Sequence, residues 1–202
     1  SYTPHDSHTL GLLMRHFLFC LYSCFMILAS ATASAIEEPS YNVVKSWDEP
    51  SVEIRDYDAR ILAVTKMGQG ANAGFGVLAG YIFGGNETEQ EIAMTAPVQR
   101  TMPTRASEEM AFVIPSEFAM DELPKPNDDR VAFREEPAYR AAAIRFSGWV
   151  SDKKAEQYWQ TLSSFLASKG IQPLGDPTLN QYNPPWTPPF MRRNEIIVAV
   201  AY

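Results

Sequence analysis

Histidine and cysteine, which often bind metals or act in nucleophilic catalysis, are confined to the start of this chain. All three histidines and both cysteines lie within the first 24 residues: His5, His8, His16, Cys20 and Cys24. The segment from Ile36 to the C-terminus contains neither residue type. This composition excludes disulfides, the usual zinc sites, cysteine nucleophiles and Ser-His-Asp triads from that segment.

The N-terminal region has the pattern of a secretory signal peptide over residues 14–35. A basic start (Met14-Arg15-His16) precedes the apolar run Phe17–Leu28 and the small-residue motif Ala33-Ser34-Ala35. We predict cleavage before Ile36, export to the periplasm or the extracellular space, and no stable membrane span afterwards. Residues 1–13 are interpreted as an upstream extension without native structure. An uncleaved anchor is the alternative, because residues 17–33 are just long enough to span a bilayer.

Residues 36–202 are predicted to form a single domain. The whole chain has a formal net charge of −7 and no basic run, which argues against a nucleic-acid partner. The acidic pairs Asp128-Asp129 and Glu135-Glu136 lie in or beside predicted loops and are interpreted as solvated. An acid–base enzyme site therefore has little support, and we predict no catalytic residue.

The segment from Asn72 to Phe83 predicts a helix that is apolar almost all round, with Asn72 as its N-cap. Such a helix is either buried on most sides or forms one wall of an apolar pocket. Gly74, Gly76 and Gly80 each lower its stability by roughly 1 kcal/mol relative to alanine. Either close backbone packing or room for a ligand would account for them, and we favour close packing.

Hydrophobic periodicity predicts two similar halves. Each half has the order strand, strand, helix, strand, strand, so we predict an α+β fold of duplicated ββαββ units with a curved or barrel-like sheet and two outer helices. Ser151 is predicted to cap the second helix, and Gly170 to end it. The apolar residues of that helix recur at spacings of three and four: Ala155, Tyr158, Trp159, Leu162, Phe165 and Leu166. The predicted strands are Tyr41–Lys45, Val52–Tyr57, Arg60–Met67, Ile92–Val98, Met110–Ile114, Tyr139–Phe146, Thr178–Tyr182 and Glu195–Ala201, with a loop at 100–109.

Four segments resemble the SOUL/heme-binding protein family, and they occur in that family's order and spacing. They are YIFGGN (Tyr81–Asn86), IAMTAPV (Ile92–Val98), FVIPSEF (Phe112–Phe118) and YNPPWTPPFMRRNEI (Tyr182–Ile196). The resemblance implies a distorted β-barrel of duplicated ββαββ halves. It also implies that heme or a related tetrapyrrole binds in an apolar groove. The groove would be flanked by Ala73–Phe83 and by the loop Asn183–Arg193.

Nine residues are predicted to bind this ligand. The apolar ones come from the first helix, the following strand and the proline-rich loop, and two arginines are available for the propionates. The set is Phe75, Leu78, Ile82, Met94, Trp186, Phe190, Met191, Arg192 and Arg193. Lys66 and Arg145 are further cations on strands.

Each part of this set has a simpler interpretation. For the run Arg192–Glu195 we favour a structural network of ion pairs and a turn that fixes the last strand over propionate binding. The simplest interpretation of Met94 is a core methionine on a strand, and the Trp186 loop could serve only to cover a sheet edge. The first helix carries no Lys or Arg, whereas better-studied family members place basic residues there.

The iron ligand of a bound heme is left open by the sequence. The segment from Ile36 has no histidine, so an axial ligand would be Met94, Met191, Tyr81, Tyr182 or a lysine. The alternative is that no side chain ligates the iron, and that apolar contact and propionate pairing alone hold the heme with modest affinity.

The predicted function is non-enzymatic carriage, buffering or scavenging of a tetrapyrrole by an exported monomer or weak oligomer. Two alternatives stay open. One is an enzyme that modifies or demetallates a tetrapyrrole. The other is an effector-type module that binds another apolar or cationic small molecule, the latter through a buried glutamate.

Overall fold

The computed structural model describes residues 36–68, 71–102 and 108–202. The chain divides after Ala35, and the second unit runs from Ile36 to Tyr202. The predicted upstream extension and signal peptide lie outside the described residues. No helix within the described ranges has the length and apolar composition needed to cross a membrane.

Nine strands and two α-helices make up the described fold. The strands are β1 (Tyr41–Trp47), β2 (Val52–Tyr57), β3 (Arg60–Lys66), β4 (Val98–Thr101), β5 (Glu109–Val113), β6 (Ala132–Glu136), β7 (Tyr139–Phe146), β8 (Gln172–Gln181) and β9 (Asn194–Ala201). The helices are α1 (Ala71–Ile82) and α2 (Asp152–Ser168). Two short 3-10 turns occur at Met120–Glu122 and Pro189–Met191.

All pairings in the nine-stranded sheet are antiparallel, and the strand order is β1-β2-β7-β9-β8-β4-β5-β3-β6. The halves are β2-β3-α1-β4-β5 and β6-β7-α2-β8-β9, with β1 added at one edge. The first strand of each half pairs with the second strand of the other half: β2 with β7, and β6 with β3. The duplicated ββαββ order and the α+β class are thus confirmed. The strands β1 and β6 end the described sheet, and its closure into a barrel stays a prediction.

The second helix has the predicted cap and the predicted buried face. The Ser151 hydroxyl accepts a hydrogen bond from the Lys154 N–H at 3.2 Å, and the predicted stop, Gly170, has a φ of +68°. The apolar side chains at spacings of three and four pack into a cluster with β2, β7 and β9: Ala155, Leu162 and Leu166 are fully buried, and Tyr158, Trp159 and Phe165 are partly buried. The helical periodicity was therefore sufficient to place α2.

The predicted strand Ile92–Val98 is wrong, since β4 covers Val98–Thr101, and its last two residues had been assigned to a loop. The segment before β4 forms its hydrogen bonds with other parts of the chain. The Ile92 N–H donates to Ile82 O and the Ala96 N–H to Glu37 O, each at 2.8 Å. The cap prediction is also wrong, because Asn72 is the second residue of α1.

A fully buried carboxylate, Glu195 at the start of β9, lies on the sheet face opposite the helices. Arg55 of β2 binds both of its oxygens, at 2.7 and 3.0 Å. The Tyr182 hydroxyl donates to Oε2 at 2.9 Å, and Arg193 Nε donates to Oε1 at 3.0 Å. Arg193 also binds Glu38 at 2.7 Å, so the group joins two strands, the β8–β9 loop and the N-terminal segment.

Burial alone would raise the pKa of the Glu195 carboxyl. The hydrogen bonds and positive charges of Arg55 and Arg193 outweigh burial and hold that pKa below its ordinary value. Glu195 is therefore ionised in the folded protein at neutral pH.

We predict that Glu195→Gln lowers the free energy of unfolding by about 3–5 kcal/mol, because it removes the buried counter-charge that Arg55 and Arg193 share and leaves them only their more exposed partners, Glu53 and Glu38. Urea unfolding monitored by circular dichroism measures the change. The matched control is Asp128→Asn, which removes an exposed partner of Arg130 and should change stability little. Equal small effects in both variants would contradict a central role for Glu195.

The same carboxylate makes stability depend on pH. Because the folded pKa lies below the unfolded value of about 4.3, the stabilisation is present above that pH and is lost as pH falls through the folded pKa. Unfolding measured across the acid range should show a smaller loss of stability for Glu195→Gln than for the unmodified protein. If the free energy of unfolding fell equally with pH in both proteins, the result would contradict this linkage.

Candidate functional site

The first helix packs one face on the sheet and exposes the other. Leu78, Tyr81 and Ile82 are buried in a cluster that includes residues of β3 and β5. The opposite side, which we call the open face, consists of Ala73, Gly76, Gly80 and Phe83. Phe83 is 67% exposed. Of the two alternatives predicted for this helix, burial on most sides does not hold, because an apolar surface faces solvent.

The three glycines of α1 have two different surroundings. A Cβ at Gly74 would meet Met67 Cγ at 3.3 Å, so this glycine allows close packing. A Cβ at Gly76 or Gly80 would meet nothing within 4 Å. Gly76 and Gly80, one turn apart, thus keep the open face flat, although no neighbouring atom requires a glycine at either position. Close packing explains Gly74 and leaves the other two unexplained.

A cavity of about 690 Å³ borders the open face. From α1 it is lined by Ala73 and Val77, and Ala73 also belongs to the open face. Its other walls come from the end of β3 and from the segment entering β6: Val64, Thr65, Lys66, Met67, Gly68, Glu109, Asp129, Arg130 and Ala132. We call this space the α1 cavity. Its volume lies within the range of small-molecule sites, roughly 300–1,000 Å³.

Two polar groups of the α1 cavity have no partner among the described residues. Thr65 is 3% exposed and its hydroxyl makes no hydrogen bond. No ion pair or hydrogen bond engages the side chain of Lys66 within the described ranges, and that side chain is exposed. In contrast, Arg130 binds Asp128 at 2.6 Å and Glu109 binds Arg134 at 2.8 Å. A ligand in this cavity would find one available ammonium and one buried hydroxyl, beside the carboxylates of Glu109 and Asp129.

The second predicted element, the loop Asn183–Arg193, presents its apolar side chains to solvent. Trp186, Phe190 and Met191 are 83%, 79% and 62% exposed. Both arginines of the loop already have partners. Arg192 donates to Thr187 O at 2.9 Å and to Pro185 O, and Arg193 binds Glu195 and Glu38. Ligand binding by either arginine would have to compete with these contacts.

The nine predicted ligand residues fall into two groups and one separate residue. Phe75, Leu78 and Ile82 belong to α1, where Leu78 and Ile82 are buried and Phe75 is 43% exposed beside Phe112. Met94 is half-buried against the α1 cluster. The remaining five lie together on the loop: Trp186, Phe190, Met191, Arg192 and Arg193. Assignment of these nine side chains to a ligand stays a prediction.

The two tyrosines considered as iron ligands are hydrogen-bonded and protonated. The Tyr81 hydroxyl donates to Pro124 O at 3.0 Å, and burial raises its pKa to about 12. Burial and the charge of Glu195 raise the pKa of Tyr182 further. No group of three His, Cys, Asp or Glu within the described ranges could hold a metal ion.

A second cavity, of about 570 Å³, is rich in carboxylates. It lies at the ends of β3, β5 and β6 and includes Glu135 and Glu136, which the sequence placed in solvent. The Glu136 carboxylate accepts a hydrogen bond from Arg60 Nε at 2.6 Å. Its acidic lining residues are Glu37, Glu38, Asp58, Glu135 and Glu136.

Sequence reasoning missed Thr65 but contained a signal for it. In β3 the side chains of Ile61 and Ala63 point to the α1 cluster, and Thr65 continues that alternation. A buried hydroxyl on an otherwise apolar face needs a hydrogen-bonding partner, and a polar group of a ligand would provide one.

The architecture defines the class to which this chain belongs: a duplicated ββαββ domain with one antiparallel sheet and both helices on one side. The sequence model of the family described as SOUL heme-binding protein matches residues 36–199. The chain is a member of this family, and the resemblance stated from its four segments is confirmed.

Curated relatives and solved structures agree with this membership. The chain is 33% identical to human and 32% identical to mouse Heme-binding protein 2 over 131 residues. The alignment covers 61% of this chain and 58% of either relative, so it spans little more than half of their length. The crystal structure of the EcmrR C-terminal domain has a similar fold, with a TM-score of 0.55 at 11% identity, covering 74% of this chain and 96% of that one.

The open face yields a stability prediction. Gly76→Ala and Gly80→Ala should each raise the free energy of unfolding by about 0.5–1 kcal/mol, because they add helix propensity without a clash. Urea unfolding tests this. Gly85→Ala is the contrast, because its Cβ would lie 2.5 Å from the Gly80 carbonyl oxygen and should destabilise the protein. Destabilisation by both α1 alanines would mean that the open face is covered.

Proposed function

We propose that this protein binds heme or a related tetrapyrrole on the open face of α1, with a polar edge of the ligand at the α1 cavity. The family description supplies the ligand class. The observation that carries the placement is the pair Gly76 and Gly80, which face open space and leave a flat apolar surface. A porphyrin is flat and apolar, and side chains at these two positions would hold its ring away from the helix backbone.

Lys66 is the preferred partner for a propionate. Lys66 is one of the residues that line the α1 cavity and its ammonium is unpaired among the described residues, whereas Arg192 and Arg193 are already engaged. The Thr65 hydroxyl offers a further hydrogen bond deeper in the same cavity. Heme brings an iron that accepts a thioether or an amine, and the protonated tyrosines leave Met and Lys as the ligands of choice.

Hemin titration followed at the Soret band tests the placement. The double variant Gly76→Leu/Gly80→Leu should bind hemin at least about tenfold more weakly, because two side chains would cover the apolar face. Its far-ultraviolet circular dichroism should be unchanged. Ala167→Leu, which places one leucine on the exposed side of α2, is the control for an added apolar side chain away from the site. Equal hemin affinity in all three proteins would refute the α1 site.

The role of Lys66 is tested by comparing hemin with its dimethyl ester. We expect Lys66→Met to weaken hemin binding about fivefold to tenfold while leaving ester binding unchanged, since the ester has no carboxylate. Lys153→Met, on exposed surface of α2, is the matched control. If Lys66→Met weakened both ligands equally, the lysine would contribute packing and no ion pair.

The biological role we propose is non-enzymatic carriage, buffering or scavenging by an exported monomer or weak oligomer. The N-terminal pattern that ends at Ala35 supports export. Sequencing the N-terminus of protein recovered outside the cytoplasm should give Ile36. Recovery of an intact N-terminus from the membrane fraction would favour the uncleaved anchor.

The alternative of a cationic ligand held by a buried glutamate is less well supported. Glu195 is the one fully buried carboxylate among the described residues. Both of its oxygens accept hydrogen bonds from arginine, and its charge is compensated by Arg55 and Arg193. A cation would have to displace these partners.

A further inference from the structure

Two loops join to form an aromatic surface. One is the turn Ser147–Ser151 between β7 and α2, and the other is Asn183–Arg193. The Gly148 N–H donates to Pro189 O at 2.8 Å, and the Asn194 side chain donates to Gly148 O at 3.1 Å. Four large apolar side chains on these loops are mostly exposed: Trp149 (61%), Trp186 (83%), Phe190 (79%) and Met191 (62%). We call this surface the aromatic platform.

The platform is held in a fixed shape. Four prolines restrict the backbone of the longer loop (Pro184, Pro185, Pro188 and Pro189). The Arg192 guanidinium donates to the carbonyls of Pro185 and Thr187 and lies 3.7 Å from the Trp149 ring centroid. A preformed loop loses little conformational entropy when it binds. Contiguous exposed apolar side chains of this size mark an interaction surface.

The local charge of the platform is opposite to that of the whole chain. Residues 147–154 and 183–193 contain four basic residues and one acidic residue, whereas the chain carries −7. Arg193 is neutralised by Glu195 and Glu38, and the positive charges that remain are those of Lys153, Lys154 and Arg192. The single acid, Asp152, is paired with Arg100 at 3.2 Å. The charge pattern therefore matches a negatively charged partner surface.

We propose that the aromatic platform docks the protein peripherally on an anionic lipid surface. Tryptophan has an apolar body and a polar N–H, and it prefers the headgroup region of a bilayer. Basic side chains beside such residues add attraction to anionic lipids. Trp186 and Phe190, the most exposed of the four, enter the interface, and Lys153 faces the headgroups. This proposal is independent of tetrapyrrole binding.

Vesicle binding of the full chain tests the proposal. The vesicles contain equal parts of phosphatidylcholine and phosphatidylserine, and a parallel set is phosphatidylcholine alone. The double variant Trp186→Ser/Phe190→Ser should partition about tenfold more weakly into the anionic vesicles, because less apolar surface is buried. Phe83→Ser, which removes a 67% exposed ring directly after α1, should have no effect. Raising the salt concentration should weaken binding.

Quenching by brominated lipid distinguishes the platform from any other membrane contact of the chain. Trp186→Phe should keep vesicle binding and lose a large part of the tryptophan quenching, because the quenched indole is gone. Unchanged quenching in that variant would overturn the proposal. So would vesicle partition that does not respond to Trp186→Ser/Phe190→Ser. Loss of a dimer in that variant by sedimentation velocity, without any vesicle binding, would assign the platform to a second copy of the chain instead.

Discussion

One buried carboxylate holds together parts of this fold that are far apart in sequence. Removing Glu195 from water is unfavourable unless counter-charges accompany it, and Arg55 and Arg193 provide them from β2 and from the end of the β8–β9 loop. Tyr182 and Glu38 extend the same group to β8 and to the N-terminal segment. The loop that carries the aromatic platform therefore ends at a residue fixed by this ion pair. Its position depends on electrostatics at the sheet as well as on its prolines.

The sequence predicted the fold wherever local patterns determine burial. Alternation located β2 and β7, and the three-and-four spacing located α2, because each pattern reports which face is covered. It failed around β4. Arg100 and Thr101 are polar and suggest a loop, yet β4 pairs with both β5 and β8 inside the sheet: Arg100 has a partner on each side, and Thr101 pairs with β8. The preceding apolar segment looks like a strand, but its hydrogen bonds go to Glu37 and Ile82. Partners distant in sequence therefore decided that β4 is a strand and that the apolar segment before it is not.

The candidate site was harder to predict for a related reason. A helix that is apolar all round carries no signal for which side faces the sheet, so Leu78 and Ile82 looked as suitable for a cleft as the residues that are exposed. The three glycines also looked alike in sequence. Only the positions of neighbouring side chains separate Gly74, beside Met67, from Gly76 and Gly80. Thr65 was detectable in principle, since alternation placed its hydroxyl among apolar residues.

The pairing of β2 with β7 and of β6 with β3 bears on the origin of the domain. Each half gives its first strand to the other half, so a single ββαββ unit would leave the edge of its second strand uncovered. Two copies of such a unit would cover both edges by exchanging first strands, which is the geometry of a strand-swapped homodimer. A gene duplication that fused two exchanged subunits would produce the strand order seen here. Once fused, the two copies no longer had to remain identical. One helix could become an ordinary amphipathic element while the other kept its glycines.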